Sequence, residues 1–86
     1  MWKIEMSQQA LKDARKIKAS PFIEKVKTLL ALLAENPFQS PPPYEKLEPP
    51  TAESYSRRIN RQHRLTYQVY PNEKTIKIAR MWTHYE

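Results

Sequence analysis

Residues 54–70 read Ser-Tyr-Ser-Arg-Arg-Ile-Asn-Arg-Gln-His-Arg-Leu-Thr-Tyr-Gln-Val-Tyr. Tyr55, Arg57 and Ile59 alternate with Ser56, Arg58 and Asn60. After a short turn at 60–62, His63, Leu65, Tyr67 and Val69 alternate with Arg64, Thr66, Gln68 and Tyr70. A period of two on both sides of a polar turn predicts an antiparallel hairpin. Pro71-Asn72-Glu73-Lys74 supplies the next turn. Thr75 to Trp82 then reads as another strand, with Ile76 and Ile78 inward.

The residues upstream follow different periods. Trp2, Ile4 and Met6 alternate with Lys3 and Glu5, which predicts a short half-buried strand. Ser7 can cap a helix over about residues 8–18, with Leu11, Ala14 and Ile17 on one face. Ser20-Pro21 has the form of a helix start, a capping hydroxyl followed by proline at the first helical position. Ile23, Val26, Leu29, Leu30 and Leu33 follow at helical spacing, and Asn36-Pro37 stops the run. Six of the eight prolines fall between 37 and 50. That segment can be neither helix nor central strand, so it is expected to be an extended connector carrying Tyr44, Glu45 and Leu47. The order is β-α-α-β-β-β. It predicts an α+β fold, a two-helix hairpin packed on one face of an antiparallel β-sheet.

With 86 residues and 40% apolar content, one domain over residues 1–86 is expected. The chain has no cysteine and no glycine, and its histidines are His63 and His84. Disulfides, thiolate nucleophiles and cysteine-ligated zinc are thereby excluded. So are glycine-dependent phosphate loops. Two histidines make a poor zinc site, so neither a metal nor a cofactor is expected. No apolar run approaches the roughly 18 residues of a spanning helix, and charge interrupts the first residues where a signal peptide needs its apolar region. The expectation is a cytoplasmic protein with no membrane partner. Fifteen Lys+Arg against nine Asp+Glu give a net charge of +6. Such a charge suits a polyanionic partner such as nucleic acid, or simply a charged surface.

Arg57, Arg58, Arg61 and Arg64 are four of the six arginines. Alternation puts Arg57 and Arg58 on opposite faces. A hairpin can set Arg58 and Arg64 on one face, where two guanidinium forks suit a phosphate. The bland use is pairing with glutamates. His63 falls in the row of Leu65 and Tyr67, which favours a structural role. It also adjoins the cluster, and is carried with Arg57, Arg58 and Arg61 as a candidate RNA contact. Tyr67 and Trp82 are assigned to packing, whereas Tyr85 is a candidate for stacking on a base. Glu45 enters this basic region on a stiff connector, as a general base or a salt-bridge partner. His84 can exchange a proton near neutral pH. RNA can be cut without metal when its 2′-hydroxyl attacks the adjacent phosphate. The reaction needs a base, cations for the extra phosphate charge and an acid for the leaving 5′-oxygen. Glu45, Arg58 with Arg64, and His84 are compatible with those roles; composition and spacing permit this without establishing it.

Ser56-Arg57-Arg58-Ile59-Asn60, His63-Arg64-Leu65-Thr66-Tyr67 and the terminal His84-Tyr85, with Asn36-Pro37-Phe38 and Glu45-Lys46-Leu47 upstream, resemble the YoeB/Txe branch of the RelE toxin superfamily. The resemblance implies a RelE-like microbial ribonuclease fold. It also implies a ribosome-dependent mRNA endonuclease, the toxin of a type II toxin–antitoxin pair, that cleaves mRNA in the A site and so inhibits translation. The partners implied are the ribosome, mRNA, a cognate YefM/Phd-type antitoxin and a second copy in a homodimer. By position, Glu45 corresponds to the general base, Arg64 to the phosphate-stabilising cation, His84 to the general acid and Tyr85 to the residue that orients the substrate. Arg58 matches a further phosphate or RNA contact. The chain departs from the pattern in having Glu48 where relatives often carry lysine, and Glu86 after the His-Tyr pair. A non-catalytic toxin of the same fold, directed at gyrase or only binding RNA, is the alternative.

Overall fold

The computed structural model describes residues 1–47 and 53–82. Its elements are β1 (Lys3–Met6), α1 (Gln8–Lys18), α2 (Ile23–Glu35), β2 (Glu45–Lys46), β3 (Glu53–Arg58), β4 (Arg64–Tyr70) and β5 (Thr75–Arg80). The strands form one sheet in the order β1-β5-β4-β3-β2. The α+β class and the helical hairpin are as expected, and the sheet differs in two respects. β1 runs parallel to β5, with Ile4 opposite Ile76, because the helical hairpin carries the chain back across the sheet before the strands resume. The proline-rich connector also contributes a two-residue strand, β2, antiparallel to β3 at the edge. An edge strand is where proline-flanked backbone is tolerated.

Two helix details also differ from the pattern reading. α1 starts as expected, with Ser7 Oγ accepting from Ala10 N–H at 3.0 Å. Its buried residues are Ala10, Asp13 and Ile17, while Leu11 is 56% exposed. Ser20 does not cap α2. Its Oγ accepts from Phe22 N–H at 3.1 Å and donates to Ile17 O at 2.8 Å, closing the interhelical turn. α2 begins after Phe22 without a side-chain cap. It is secured instead by burial of Val26, Leu29 and Leu33, each worth about 1.5–3 kcal/mol.

The core lies between the hairpin and one sheet face. Ile17, Leu29 and Leu33 meet Leu65, Tyr67, Val69, Ile76 and Ile78 there. Opposite them, Ser54, Ser56 and Arg58 of β3 and Arg64, Thr66, Gln68 and Tyr70 of β4 alternate outward. None of these strand positions is apolar except for the tyrosine ring. Among the described residues no helix is long and apolar enough to cross a membrane.

Asp13 ties α1 to the end of β5. Its Oδ2 accepts from Met81 N–H at 3.0 Å, Trp82 N–H at 3.2 Å and Arg80 Nε at 3.2 Å, and its Oδ1 from Gln9 at 3.0 Å. Burial pushes this carboxyl up, but the hydrogen bonds from Met81, Gln9, Trp82 and Arg80 together hold it below the usual aspartate range. A lowered native value stabilises the fold fully above the unfolded pKa of about 3.9, and that stabilisation is lost as pH falls toward the native value. Asp13→Ala leaves buried amides unpaired and is expected to cost roughly 2–4 kcal/mol in denaturant unfolding at pH 7. In Asp13→Asn the loss of stability below about pH 4 should be shallower than in the parent.

Candidate functional site

The site is assembled on the open sheet face by strand pairing. β2 against β3 sets Glu45 opposite Ser56. β3 against β4 sets Ser56 opposite Thr66 and Arg58 opposite Arg64. One residue in each strand therefore contributes to a row, and the next row is two guanidiniums facing each other. The Arg64 Nη1 donates to Glu45 Oε1 at 3.0 Å and to Ser56 Oγ at 3.2 Å. Pro43, Glu45, Ser56, Arg58 and Arg64 line a hollow of about 260 Å³.

The charges in this hollow are two fixed cations and one carboxylate, a net positive lining. The Arg64 side chain is 24% exposed, whereas that of Glu45 is 67% exposed. Arg64 is thus propped by Ser56 and Glu45 with part of its fork still accessible. A guanidinium presents five N–H donors, and the Arg64 fork borders the hollow. Thr66 Oγ1, in the same row as Ser56, is buried with no hydrogen-bond partner. A buried hydroxyl in that state is uncommon.

The basic cluster of the sequence divides between two environments. Arg58 and Arg64 face the hollow, and Arg61 is exposed on the turn after β3. Arg57 does not join them: it is 1% exposed and points to the helix face, so its assignment as an RNA contact is corrected. His63 is likewise buried, at 2% exposure. It stacks on Trp82 at 3.9 Å between ring centroids and touches Phe22. Its packing role, rather than an RNA contact, follows from that burial. The other two proposed catalytic residues, His84 and Tyr85, lie outside the described residues, as do Glu48 and Glu86.

Pattern reading did not single out Ser56 or Pro43. Ser56 shares the parity of Arg58, and that was the available signal. Among the described residues, no three His, Asp or Glu side chains gather as a metal site.

The sequence matches the family described as "ParE toxin of type II toxin-antitoxin system, parDE" over residues 4–86. No curated protein matches it significantly. Among solved structures, it is similar to the toxin in the YoeB–YefM complex from Staphylococcus aureus, at 33% identity and TM-score 0.80, with 99% of each chain covered. It is similar to the YoeB dimer from the same organism, at 32% identity and TM-score 0.79, with 98% of each chain covered. A YoeB/ParE toxin from Agrobacterium tumefaciens shares the fold at 24% identity and TM-score 0.84, over 96% of this chain and 99% of that one.

Because Glu45 and Arg64 form an exposed ion pair, such as usually contributes about 0–1 kcal/mol, Glu45→Gln should leave the unfolding midpoint nearly unchanged. A loss of several kcal/mol in thermal or urea melts would make the pair a structural one.

Proposed function

We propose, from the premise that this chain belongs to the ParE-toxin family of type II toxin–antitoxin systems, that it is an mRNA endonuclease acting on the ribosome without metal. Family membership gives the toxin class, while the chemistry rests on the hollow. One observation carries it: a carboxylate and two guanidiniums converge on an open surface, with Glu45 Oε1 3.0 Å from Arg64 Nη1. Such a set matches what cleavage of an RNA phosphodiester requires.

In this reading Glu45 removes the proton from a 2′-hydroxyl. The freed oxygen attacks the adjacent phosphorus, and the bond to the 5′-oxygen breaks. Arg64 and Arg58 stabilise the charge that builds on the non-bridging oxygens. His84 donates a proton to the departing 5′-oxygen, and Tyr85 orients or stacks on the substrate. The products are a 2′,3′-cyclic phosphate and a free 5′-hydroxyl. Arg61 is kept as an outlying RNA contact on the neighbouring turn. The proposed partners are mRNA and the ribosome in the cytoplasm, and a YefM/Phd-type antitoxin that neutralises the toxin. A second copy of the chain is a further proposed partner, as in the YoeB dimer.

A second reading is a toxin of the same fold with no nuclease activity, directed at gyrase. The ParE description of the matching family favours it. The two are separated by assaying the purified chain in a translating extract and in a supercoiling reaction. The nuclease reading expects mRNA fragments ending in 2′,3′-cyclic or 3′-phosphate, whereas 5′-phosphate ends would mean a metal-type mechanism. Inhibited supercoiling with intact mRNA would establish the other.

Loss of a preorganised cation at a phosphoryl centre typically costs on the order of 10²–10³-fold. Arg64→Ala should therefore cut mRNA cleavage by that much while remaining folded. Full cleavage by the variant would remove Arg64 from the mechanism. His84→Gln should slow the reaction by about 10²–10⁴-fold, the range for general acid catalysis.

A further inference from the structure

The base in this mechanism sits on an edge segment that pairs with β3 at Glu45 and Lys46 and packs the Tyr44 ring on Phe38 and Tyr55. β2 is two residues long, and so short a strand at a sheet edge is marginal by itself. Before it come Pro41, Pro42 and Pro43, which have no backbone N–H. This stretch cannot enter a regular ladder, so its carbonyls need donors from elsewhere.

Arg57 supplies them. From β3 its side chain reaches under the connector. Nη2 donates to Pro37 O at 3.0 Å and to Gln39 O at 2.8 Å, Nη1 donates to Pro42 O, and Nε donates to Tyr67 Oη at 3.0 Å. The guanidinium carbon also lies 4.9 Å from the Tyr44 ring centroid, in cation–π range. Tyr67 in turn donates to Pro37 O at 3.3 Å. Burial keeps that phenol protonated by pushing it above its ordinary value, against the pull of Arg57. Arg57 is absent from the ion pairs among the described residues. Its charge is spent on three backbone carbonyls and the Tyr44 ring, all in residues 37–44, and on the Tyr67 hydroxyl. Tyr44, its last contact, is bonded directly to Glu45.

We propose that Arg57 is the positioning residue for Glu45: its buried fork pins the proline-rich connector, and that anchor stations the Glu45 carboxylate over the hollow. The kinetic part of this rests on the nuclease reading, whereas the positional part does not. Lysine keeps the charge but lacks the planar fork that spans three carbonyls. Arg57→Lys therefore loosens the connector without removing the cation.

The test combines geometry with kinetics. The chain has no cysteine, so spin labels at Lys46→Cys and Gln62→Cys report the distance from β2 to the β3–β4 turn. A reference pair at Lys16→Cys and Lys77→Cys reports the fold. The expected result is a narrow 46–62 distribution in the parent that broadens in Arg57→Lys while the reference pair stays narrow. Cleavage should then lose on the order of 10–10² in kcat, the scale set by a misplaced catalytic group. KM for mRNA should stay within about twofold, since RNA-binding cations are untouched. An unchanged 46–62 distribution overturns the proposal, and so does a broadened one with parental kcat. If Arg57→Lys fails to fold, the same measurements are made on Tyr67→Phe, which removes the acceptor of Arg57 Nε and the hydroxyl's own bond to Pro37 O; it should broaden the distribution less, and an unchanged distribution there overturns the proposal. A parent that cuts no mRNA refutes the nuclease reading, and the label distances then decide the positional claim alone.

Discussion

The pairing of β3 with β4 sets Arg58 opposite Arg64 and Ser56 opposite Thr66. Because side chains alternate along a strand, the same register sends Tyr55, Arg57, Leu65 and Tyr67 to the helix face. A slip of one residue would exchange the two sets. Arg58 and Arg64 would then enter the core, and Leu65 and Tyr67 would face water. The apolar half of the pattern enforces the register, and the charged half inherits its position from it. The register shift between Thr66 and Tyr67 against β5 falls beside this site, where such irregularities commonly re-aim a side chain.

Three charged side chains show how environment decides use. Arg57 is surrounded by carbonyls and rings, so its charge is satisfied locally and structurally. Asp13, also buried, gathers two backbone amides, a guanidinium and an amide side chain, and so binds α1 to the strand end. Arg64 is only partly covered, and Glu45 and Ser56 are among its partners. Residue type does not distinguish Arg57 from Arg64. The depth of burial of each does.

The readable parts of the sequence were those where one period dominates. The alternation in β4 and β5 and the Val26, Leu29, Leu33 stripe of α2 each had a buried partner face waiting, so local pattern and tertiary structure agreed. The parity of Arg57 and Arg58 was also legible, and it put them on opposite faces. What parity alone could not say is that the face opposite Arg58 was closed by the connector, because arginine is rarely so buried. Asp13 is hidden for the same reason: a polar letter in an amphipathic stripe reads as its edge, and the pattern points to Leu11, which is exposed. The parallel pairing of β1 was not legible either. A four-residue strand shows which face it buries but not the direction of its neighbour. At the site, the meeting of Glu45, Arg58 and Arg64 was legible as an expectation because two strand patterns and a stiff connector constrained it. Ser56 was not, since a serine beside arginines carries no distinctive chemistry until its Oγ is found within reach of a guanidinium.

The two faces of the sheet also explain why this family's fold and its chemistry can vary separately. Residues that secure the fold, from Leu29 and Leu33 to Tyr67 and Ile78, lie on the covered face. Residues that line the hollow lie on the open one and contribute little apolar burial. Substitution on the open face can therefore change or erase an activity at small cost in stability, while the covered face keeps the backbone the same. The family match therefore carries the toxin class, whereas the reaction must be argued from the side chains on the open face. In this chain that face retains a carboxylate and two guanidiniums in mutual reach. In the proposed cleavage the ribose 2′-hydroxyl loses a proton as negative charge builds on the phosphate, and a carboxylate beside guanidiniums would answer both demands.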